Sequence, residues 1–98
     1  MSPTSIEHDT GGKRFFTRLD AGEAYLSYER PRQGVLDLQH TIVPPAEQGR
    51  GVGESLVRAA LDFARENGER IIPTCPFVES WLAQHPGEGD GVVADESR

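Results

Sequence analysis

The chain has 98 residues, 36% of them hydrophobic, and a formal net charge of −6. A chain of this length builds a single core, and its acidic balance argues against binding nucleic acid, which requires clustered Lys and Arg. The lone Cys75 excludes an internal disulfide and a cysteine-based zinc site, so we expect no bound metal. No apolar run is long enough to cross a bilayer, and the N-terminus carries no apolar signal segment. The sequence therefore predicts a cytoplasmic protein with no membrane partner.

Both ends of the chain lack a periodic apolar pattern. Residues 1–12 and 86–98 are rich in Gly, Pro, Ser and acidic residues, a composition typical of loose tails. We therefore expect a flexible N-terminal tail over residues 1–12 and a flexible acidic C-terminal tail over residues 88–98. The working domain is predicted to span residues 13–87, which is close to the lower size limit for a stable core.

Three strands are predicted in the first half of the chain. Arg14–Leu19 mixes apolar and polar residues, Glu23–Glu29 alternates them, and Val35–Val43 alternates them again. In the third strand, alternation places four residues on one face: Leu36, Leu38, His40 and Ile42. Pro44-Pro45 ends this strand, because proline cannot donate a hydrogen bond to a neighbouring strand. An antiparallel meander accounts for the three segments.

The hydrophobic period changes from that of a strand to that of a helix after residue 53. Apolar residues recur at helical spacing at Leu56, Val57, Ala60, Leu61 and Ala64. Gly68 is suited to end this helix, and Arg70–Thr74 then predicts a short strand. A second helix is expected over Pro76–Gln84, with Pro76 in its first turn. The predicted order β-β-β-α-β-α describes an α/β (α+β) fold in which helices pack on a mixed sheet.

The glycine segment Gln48–Gly53 lies between the third strand and the first helix. Its three glycines at alternate positions leave room for a backbone turn and for close approach of a ligand. The helix that follows presents unpaired N–H groups and the positive end of its dipole, which suit phosphate oxygens. Arg50 can add a bidentate contact. The alternative is that the glycines only form a tight turn, but their position between a strand and a helix favours an anion site.

The spacing within the segment argues against the commoner phosphate-binding motifs. A P-loop requires Gly-Lys-Ser/Thr at the start of the helix, where this chain has Gly53-Glu54-Ser55. The dinucleotide fingerprint requires Gly-x-Gly-x-x-Gly after the first strand of a parallel sheet. Here the glycines follow a predicted antiparallel meander at a different spacing, so neither motif fits.

Gln48-Gly49-Arg50-Gly51-Val52-Gly53 instead resembles the Gln/Arg-x-x-Gly-x-Gly signature of the GNAT superfamily of acyl-CoA N-acyltransferases. Further matching runs make the chain similar to the minimal GNAT-like N-acetyltransferases over about residues 13–87. These runs are His40-Thr41, Pro44, Leu56-Val57, Pro73–Val78 and His85-Pro86. The resemblance implies a GNAT-like sheet and acetyl transfer from acetyl-CoA to a protein or small-molecule amine. The alternative is a CoA-binding regulatory module without turnover, because both functions need the same phosphate loop.

The same resemblance implies which residues hold acetyl-CoA. The backbone of Ile42 and Val43 would pair with the pantetheine arm. The pyrophosphate would be held by the amides of Gln48, Gly49, Arg50, Gly51, Val52 and Gly53. The acetyl group would lie at the end of the third strand and face Cys75. Larger family members use a later tyrosine to protonate the leaving thiolate, and this chain has none after Cys75, so either Cys75 or water takes that role.

Two side chains are candidates for acid–base chemistry. His40 could accept the proton of the attacking amine, although its predicted apolar face also fits a core histidine. Cys75 precedes Pro76 and is expected to cap the second helix, where the dipole favours a thiolate; a small buried hydrophobic residue is the alternative. We expect direct attack of the amine in a ternary complex rather than an acetyl-Cys75 intermediate. The sequence leaves the acceptor amine open and is compatible with a monomer.

Overall fold

The computed structural model describes residues 5–94 and contains one five-stranded sheet with two α-helices. The strands, in both chain order and sheet order, are β1 (Glu7–Asp9), β2 (Arg14–Leu19), β3 (Gly22–Glu29), β4 (Val35–Ile42) and β5 (Arg70–Ile72). A 3-10 turn (Pro45–Glu47) and α1 (Val52–Glu66) connect β4 to β5, and α2 (Pro76–Gln84) follows β5. The first four strands are antiparallel, and β5 joins β4 in parallel. The predicted mixed sheet with packed helices is confirmed, with β1 as an additional strand.

A single hydrophobic core lies between the sheet and the two helices. α1 buries six residues at helical spacing: Val52, Leu56, Val57, Ala60, Leu61 and Ala64. Leu26 of β3, Leu38 of β4 and Val78 of α2 are fully buried in the same cluster, and Trp81 of α2 is 6% exposed at its border with solvent. Among the residues described, neither helix has the length and apolarity that a membrane span requires.

A β-bulge interrupts the pairing of β3 with β4. His40 pairs with Ser27, but the next residue of β3, Tyr28, pairs with Leu38, so Gln39 is an extra residue in β4. Successive residues of a strand point to opposite faces, and directly paired residues share a face. The buried Tyr28 and Leu38 therefore mark the core face, and His40 lies with Ser27 on the opposite face, called here the outer face.

The bulge makes the predicted face of His40 and Ile42 wrong. Leu38 is fully buried, whereas Ile42 is 47% exposed and His40 is also exposed. Thr41, which pairs with the buried Leu26, takes the inward position instead. When one residue is inserted into a strand, every residue after it moves to the opposite face of the sheet. The residue pattern alone gave no sign of this insertion.

The N-terminal segment belongs to the sheet. Glu7–Asp9 pairs with β2 along its whole length. The His8 ring stacks on Phe15 with centroids 4.2 Å apart, and its Nε2 lies 2.6 Å from the Tyr28 hydroxyl. The predicted tail over residues 1–12 is therefore wrong for residues 7–9, because these contacts attach them to the core. Residues 1–4 lie outside the described range.

The C-terminal segment also extends the sheet. Val92 is 1% exposed and belongs to the core cluster. The Ile71 amide donates to the Val92 carbonyl at 2.9 Å, and the Ala94 amide donates to the Ile71 carbonyl at 2.7 Å. The predicted domain end at residue 87 is therefore too early, since residues 92–94 pair with β5. The last part of the predicted acidic tail, residues 95–98, lies outside the described range.

Candidate functional site

A pocket of about 570 Å³ opens between the end of β4, the glycine segment and α2. This volume is within the usual range for sites that hold small molecules and cofactors. The lining comprises Thr41 and Val43, residues 47–49 and 51–54, and Phe77, Trp81, Gln84 and His85. The end of a strand, the start of one helix and one side of another therefore meet at this site.

The glycine segment lines the pocket with backbone donors. Gly51 is the N-cap of α1, and no side chain among residues 5–94 forms a cap hydrogen bond with this helix. Within the described part of the chain, the amides of Gly49 through Gly53 donate no hydrogen bond. The first turn of a helix leaves its N–H groups unpaired, and the helix dipole adds positive potential there. This arrangement suits the oxygens of a phosphate.

The glycines of the segment differ in what they provide. Gly49 and Gly51 have φ angles of 80° and 84°, in the left-handed region that favours glycine. A Cβ on Gly51 would meet no heavy atom within 4 Å, so the space next to it is open. A Cβ on Gly53 would approach the Phe77 ring to 2.8 Å. Gly53 therefore allows α2 to pack against the start of α1, whereas Gly51 leaves the pocket accessible.

Two polar side chains of the segment behave differently. The Gln48 side-chain amide donates to the Val43 carbonyl at 3.0 Å, which ties the segment to the end of β4. The Gln48 backbone N–H is already bonded to the Pro45 carbonyl at 3.3 Å, so it is not a free donor like those that follow it. Arg50 is exposed and forms no ion pair with residues 5–94. It therefore remains available to an anion.

β4 and β5 separate where they reach the pocket. β5 pairs with β4 only along Val35–Asp37, and the next contact is the Cys75 amide donating to the Leu38 carbonyl at 2.8 Å. Beyond Leu38, the described sheet has no strand on that side of β4. The backbone from Gln39 to Ile42 therefore presents an unpaired strand edge to an extended ligand, whereas the Val43 carbonyl just beyond β4 is already bonded to the Gln48 side chain.

Cys75 is the N-cap of α2, as predicted, and Pro76 is the first helical residue. The Cys75 side chain is only 3% exposed and does not line the pocket. Its Sγ lies 3.3 Å from Oγ1 of Thr41, which does line the pocket. The Thr41 hydroxyl therefore connects the buried sulfur to the pocket. The sequence did not indicate this role, because unbroken alternation puts Thr41 on the face opposite Leu38.

His40 is not brought together with Cys75. It lies on the outer face and does not line the pocket. His85 does line it, with its ring stacked on Trp81 at a centroid distance of 4.2 Å. Nδ1 of His85 lies 2.8 Å from the Trp81 carbonyl and must donate to it, which leaves Nε2 of the neutral ring as an acceptor. In the sequence, only the resemblance of His85-Pro86 to the minimal GNAT-like proteins pointed to this residue.

The indole of Trp81 is a further polar group at the pocket. Its Nε1 is buried and has no hydrogen-bond partner among the described residues. The Arg58 guanidinium carbon lies 5.0 Å from the centroid of the indole, and the His85 ring stacks on the same indole. Buried donors are almost always paired in folded proteins. Because the nitrogen exposes almost no surface, a ligand acceptor would reach it only after the packing around the indole opens.

Comparison with known proteins places the chain in a family. A family model described as GCN5-related N-acetyl-transferase matches residues 14–91. Protein NATD1 of Bos taurus and that of Homo sapiens are 38% and 37% identical over 86 residues, covering 86% of this chain and 76% of each relative. The solution NMR structure of a GCN5-like protein from Staphylococcus aureus matches with a TM-score of 0.69 and 25% identity, covering 100% of this chain and 96% of the other. The chain therefore belongs to the family of GCN5-related N-acetyltransferases, the GNAT family.

Proposed function

We propose that the chain binds acetyl-CoA in this pocket and transfers its acetyl group to an amine. The observation that carries the proposal is the run of unpaired amides from Gly49 to Gly53 at the N-terminus of α1; every residue of this run except Arg50 lines the pocket. Such a run suits a pyrophosphate. Membership of the GNAT family supports acetyl transfer as the activity and acetyl-CoA as the donor.

The proposed cosubstrate follows the pocket from α1 to the end of β4. Its pyrophosphate contacts the amides of Gly49–Gly53, and Arg50 adds a cation. Its pantetheine arm pairs with the edge of β4 at Ile42, next to the pocket lining, and with the backbone of Val43, which lines the pocket. The open space next to Gly51 fits a ligand that fills this volume.

Direct attack of the amine on the thioester is the proposed route. Because the Cys75 sulfur is buried behind a hydroxyl that lines the pocket, an acetyl-Cys75 intermediate would first require Thr41 to move. Binding both substrates in reacting geometry supplies much of the rate enhancement in such a ternary complex. His40 lies on the outer face of the sheet, so a base role for it requires an amine that approaches from that face. For an amine that enters through the pocket, water takes the proton.

A thermal-shift titration with acetyl-CoA, CoA and ATP tests the proposal. Acetyl-CoA and CoA should raise the melting temperature with a stabilisation that grows as RT ln(1 + [L]/Kd). ATP carries a polyphosphate but no pantetheine, so it should stabilise the protein far less. Stabilisation by ATP without stabilisation by CoA would contradict the assignment. A parallel assay with polyamine, peptide N-terminal and lysine acceptors measures transfer.

A CoA-binding regulatory module is the second candidate function. One observation favours it: neither His40 nor Cys75 lines the pocket. Binding of CoA without transfer to any amine would support the module. Transfer that depends on acetyl-CoA and saturates with an amine would support the enzyme. The net charge of −6 favours a cationic amine as acceptor, because a negative protein attracts cations.

A further inference from the structure

We propose that Thr41 protonates the leaving thiolate of CoA and that Cys75 supplies the proton to Thr41. This inference rests on the proposed function and assigns the acid that the sequence left open. Thr41 lines the pocket at the point where β4 leaves β5, and its Oγ1 contacts the Cys75 sulfur at 3.3 Å. Val43 is the other pocket residue from this part of the chain, and its side chain has no exchangeable proton.

The bulge at Gln39 explains why a hydroxyl occupies this position. With unbroken alternation, His40 would share the core face with Leu38, and Thr41 would point outward. The extra residue reverses the phase, so Thr41 pairs with Leu26 on the core face and reaches both the pocket and Cys75. Bulges are common next to active sites because they re-aim a single side chain.

The proposed proton movements balance. The amine nitrogen attacks the thioester carbon, and the C–S bond breaks with its electron pair going to sulfur. The Thr41 hydroxyl gives its proton to that sulfur and takes one from the thiol of Cys75. The amine proton leaves to water. After CoA departs, water returns a proton to Cys75 through Thr41, so both side chains end as they began.

The position of Cys75 favours this direction of transfer. A threonine hydroxyl alone is a weak acid, but a relay leaves the negative charge on Cys75 rather than on oxygen. Cys75 is the N-cap of α2, and among the described residues no side chain forms a cap hydrogen bond with that helix. The positive end of a helix dipole favours negative charge at this position. Thr41 is the catalytic residue in this scheme, and Cys75 acts through it.

A matched pair of variants tests the role of Thr41. Thr41→Val keeps the shape of the side chain but removes the hydroxyl, whereas Thr41→Ser keeps the hydroxyl. The single-turnover rate of acetyl transfer should fall by about 100-fold in Thr41→Val, the usual contribution of a general acid, and by only a few-fold in Thr41→Ser. Calorimetry should give the same Kd for acetyl-CoA in all three proteins.

The solvent isotope effect tests the role of Cys75. In wild type, two protons move together, so the single-turnover rate should curve when plotted against the fraction of D₂O. Cys75→Ala should lower the single-turnover rate and make the plot linear. Cys75→Ser should restore much of the rate and much of the curvature. A loss of rate through altered packing would leave the curvature unchanged and would overturn the role of Cys75.

The outcomes separate this inference from the proposed function. If wild type transfers acetyl groups and Thr41→Val does so equally fast, the inference is overturned and the proposed function stands. If wild type binds CoA but transfers to no amine, both are overturned. A slow Thr41→Val variant with unchanged acetyl-CoA affinity supports both.

Discussion

Replacing Gly51 with alanine tests whether the glycine segment binds a ligand or only forms a turn. Gly51 has φ 84°, and a Cβ there meets no heavy atom within 4 Å in the free protein. The added methyl group therefore creates backbone strain but no clash. Because Gly51 lines the pocket, the methyl group occupies space that the pyrophosphate would need.

The expected magnitudes follow from this geometry. A left-handed backbone costs an L-residue about 1–2 kcal/mol, which lowers the melting temperature by roughly 4–16 °C in a domain of this size. The affinity for acetyl-CoA should fall by about tenfold or more, equal to about 1.4 kcal/mol or more. Gly34→Ala is the matched control, because Gly34 has φ 80°, equally open surroundings and no place in the pocket lining.

Calorimetric titration of both variants with acetyl-CoA, combined with melting curves, separates strain from binding. Both variants should lose similar stability and remain folded, but only Gly51→Ala should lose affinity. Equal affinity in the two variants would show that Gly51 forms a turn and does not contact the ligand. A loss of affinity in Gly34→Ala would show that backbone strain alone explains the effect.

Three further predictions concern groups outside the glycine segment. Burial and then the charge of Arg30 lower the pKa of His8 from its usual value of 6.5. The stability that neutral His8 contributes to the fold should therefore be present above pH 6.5 and be lost as the pH falls through the pKa of the folded state. Melting temperatures of His8→Gln should accordingly depend less on pH than those of the wild type. Val92→Ala should lower the free energy of unfolding by about 1.5–3 kcal/mol in urea titrations, and no loss would refute its burial in the core. Iodoacetamide should alkylate Cys75 more slowly than free cysteine, because its side chain is 3% exposed; rapid labelling would place the sulfur in the pocket.

The sequence predicted the elements whose signals are local. The helical spacing that ends at Gly68 predicted α1, and Pro76 marked the start of α2 with Cys75 as its cap. The glycine segment predicted a helix N-terminus with free donors, which the structure contains. These features depend on residues that are close together in the sequence, so the local sequence is sufficient to predict them.

The elements that the sequence did not predict depend on distant partners. Glu7–Asp9 has no apolar alternation, and it becomes a strand because β2 and the aromatic contacts of His8 hold it. Val92 stands among glycines and acidic residues, but β5 provides its hydrogen bonds and its buried position. Propensity has little influence where tertiary pairing decides the conformation.

Part of the site was also beyond prediction, because one extra residue changes what β4 presents. The bulge at Gln39 moves His40 to the outer face and brings Thr41 to the pocket. Alternation within one strand does not specify how that strand pairs with its neighbour, so it could not reveal that Thr41 replaces His40 on the core face. The role of His85 likewise follows from its stack on Trp81, a contact that forms only when the end of α2 reaches the pocket.

An amide NMR titration with acetyl-CoA tests the central claim most directly, because it reports binding and location together. On addition of acetyl-CoA, the N–H resonances of Gly49, Gly51 and Gly53 should shift and saturate, together with those of Ile42 and Val43. The resonance of Gly34, which lies outside the pocket lining, should remain unchanged. Saturable shifts confined to other residues, or none at all with excess acetyl-CoA, would contradict the assignment of this pocket to the cosubstrate.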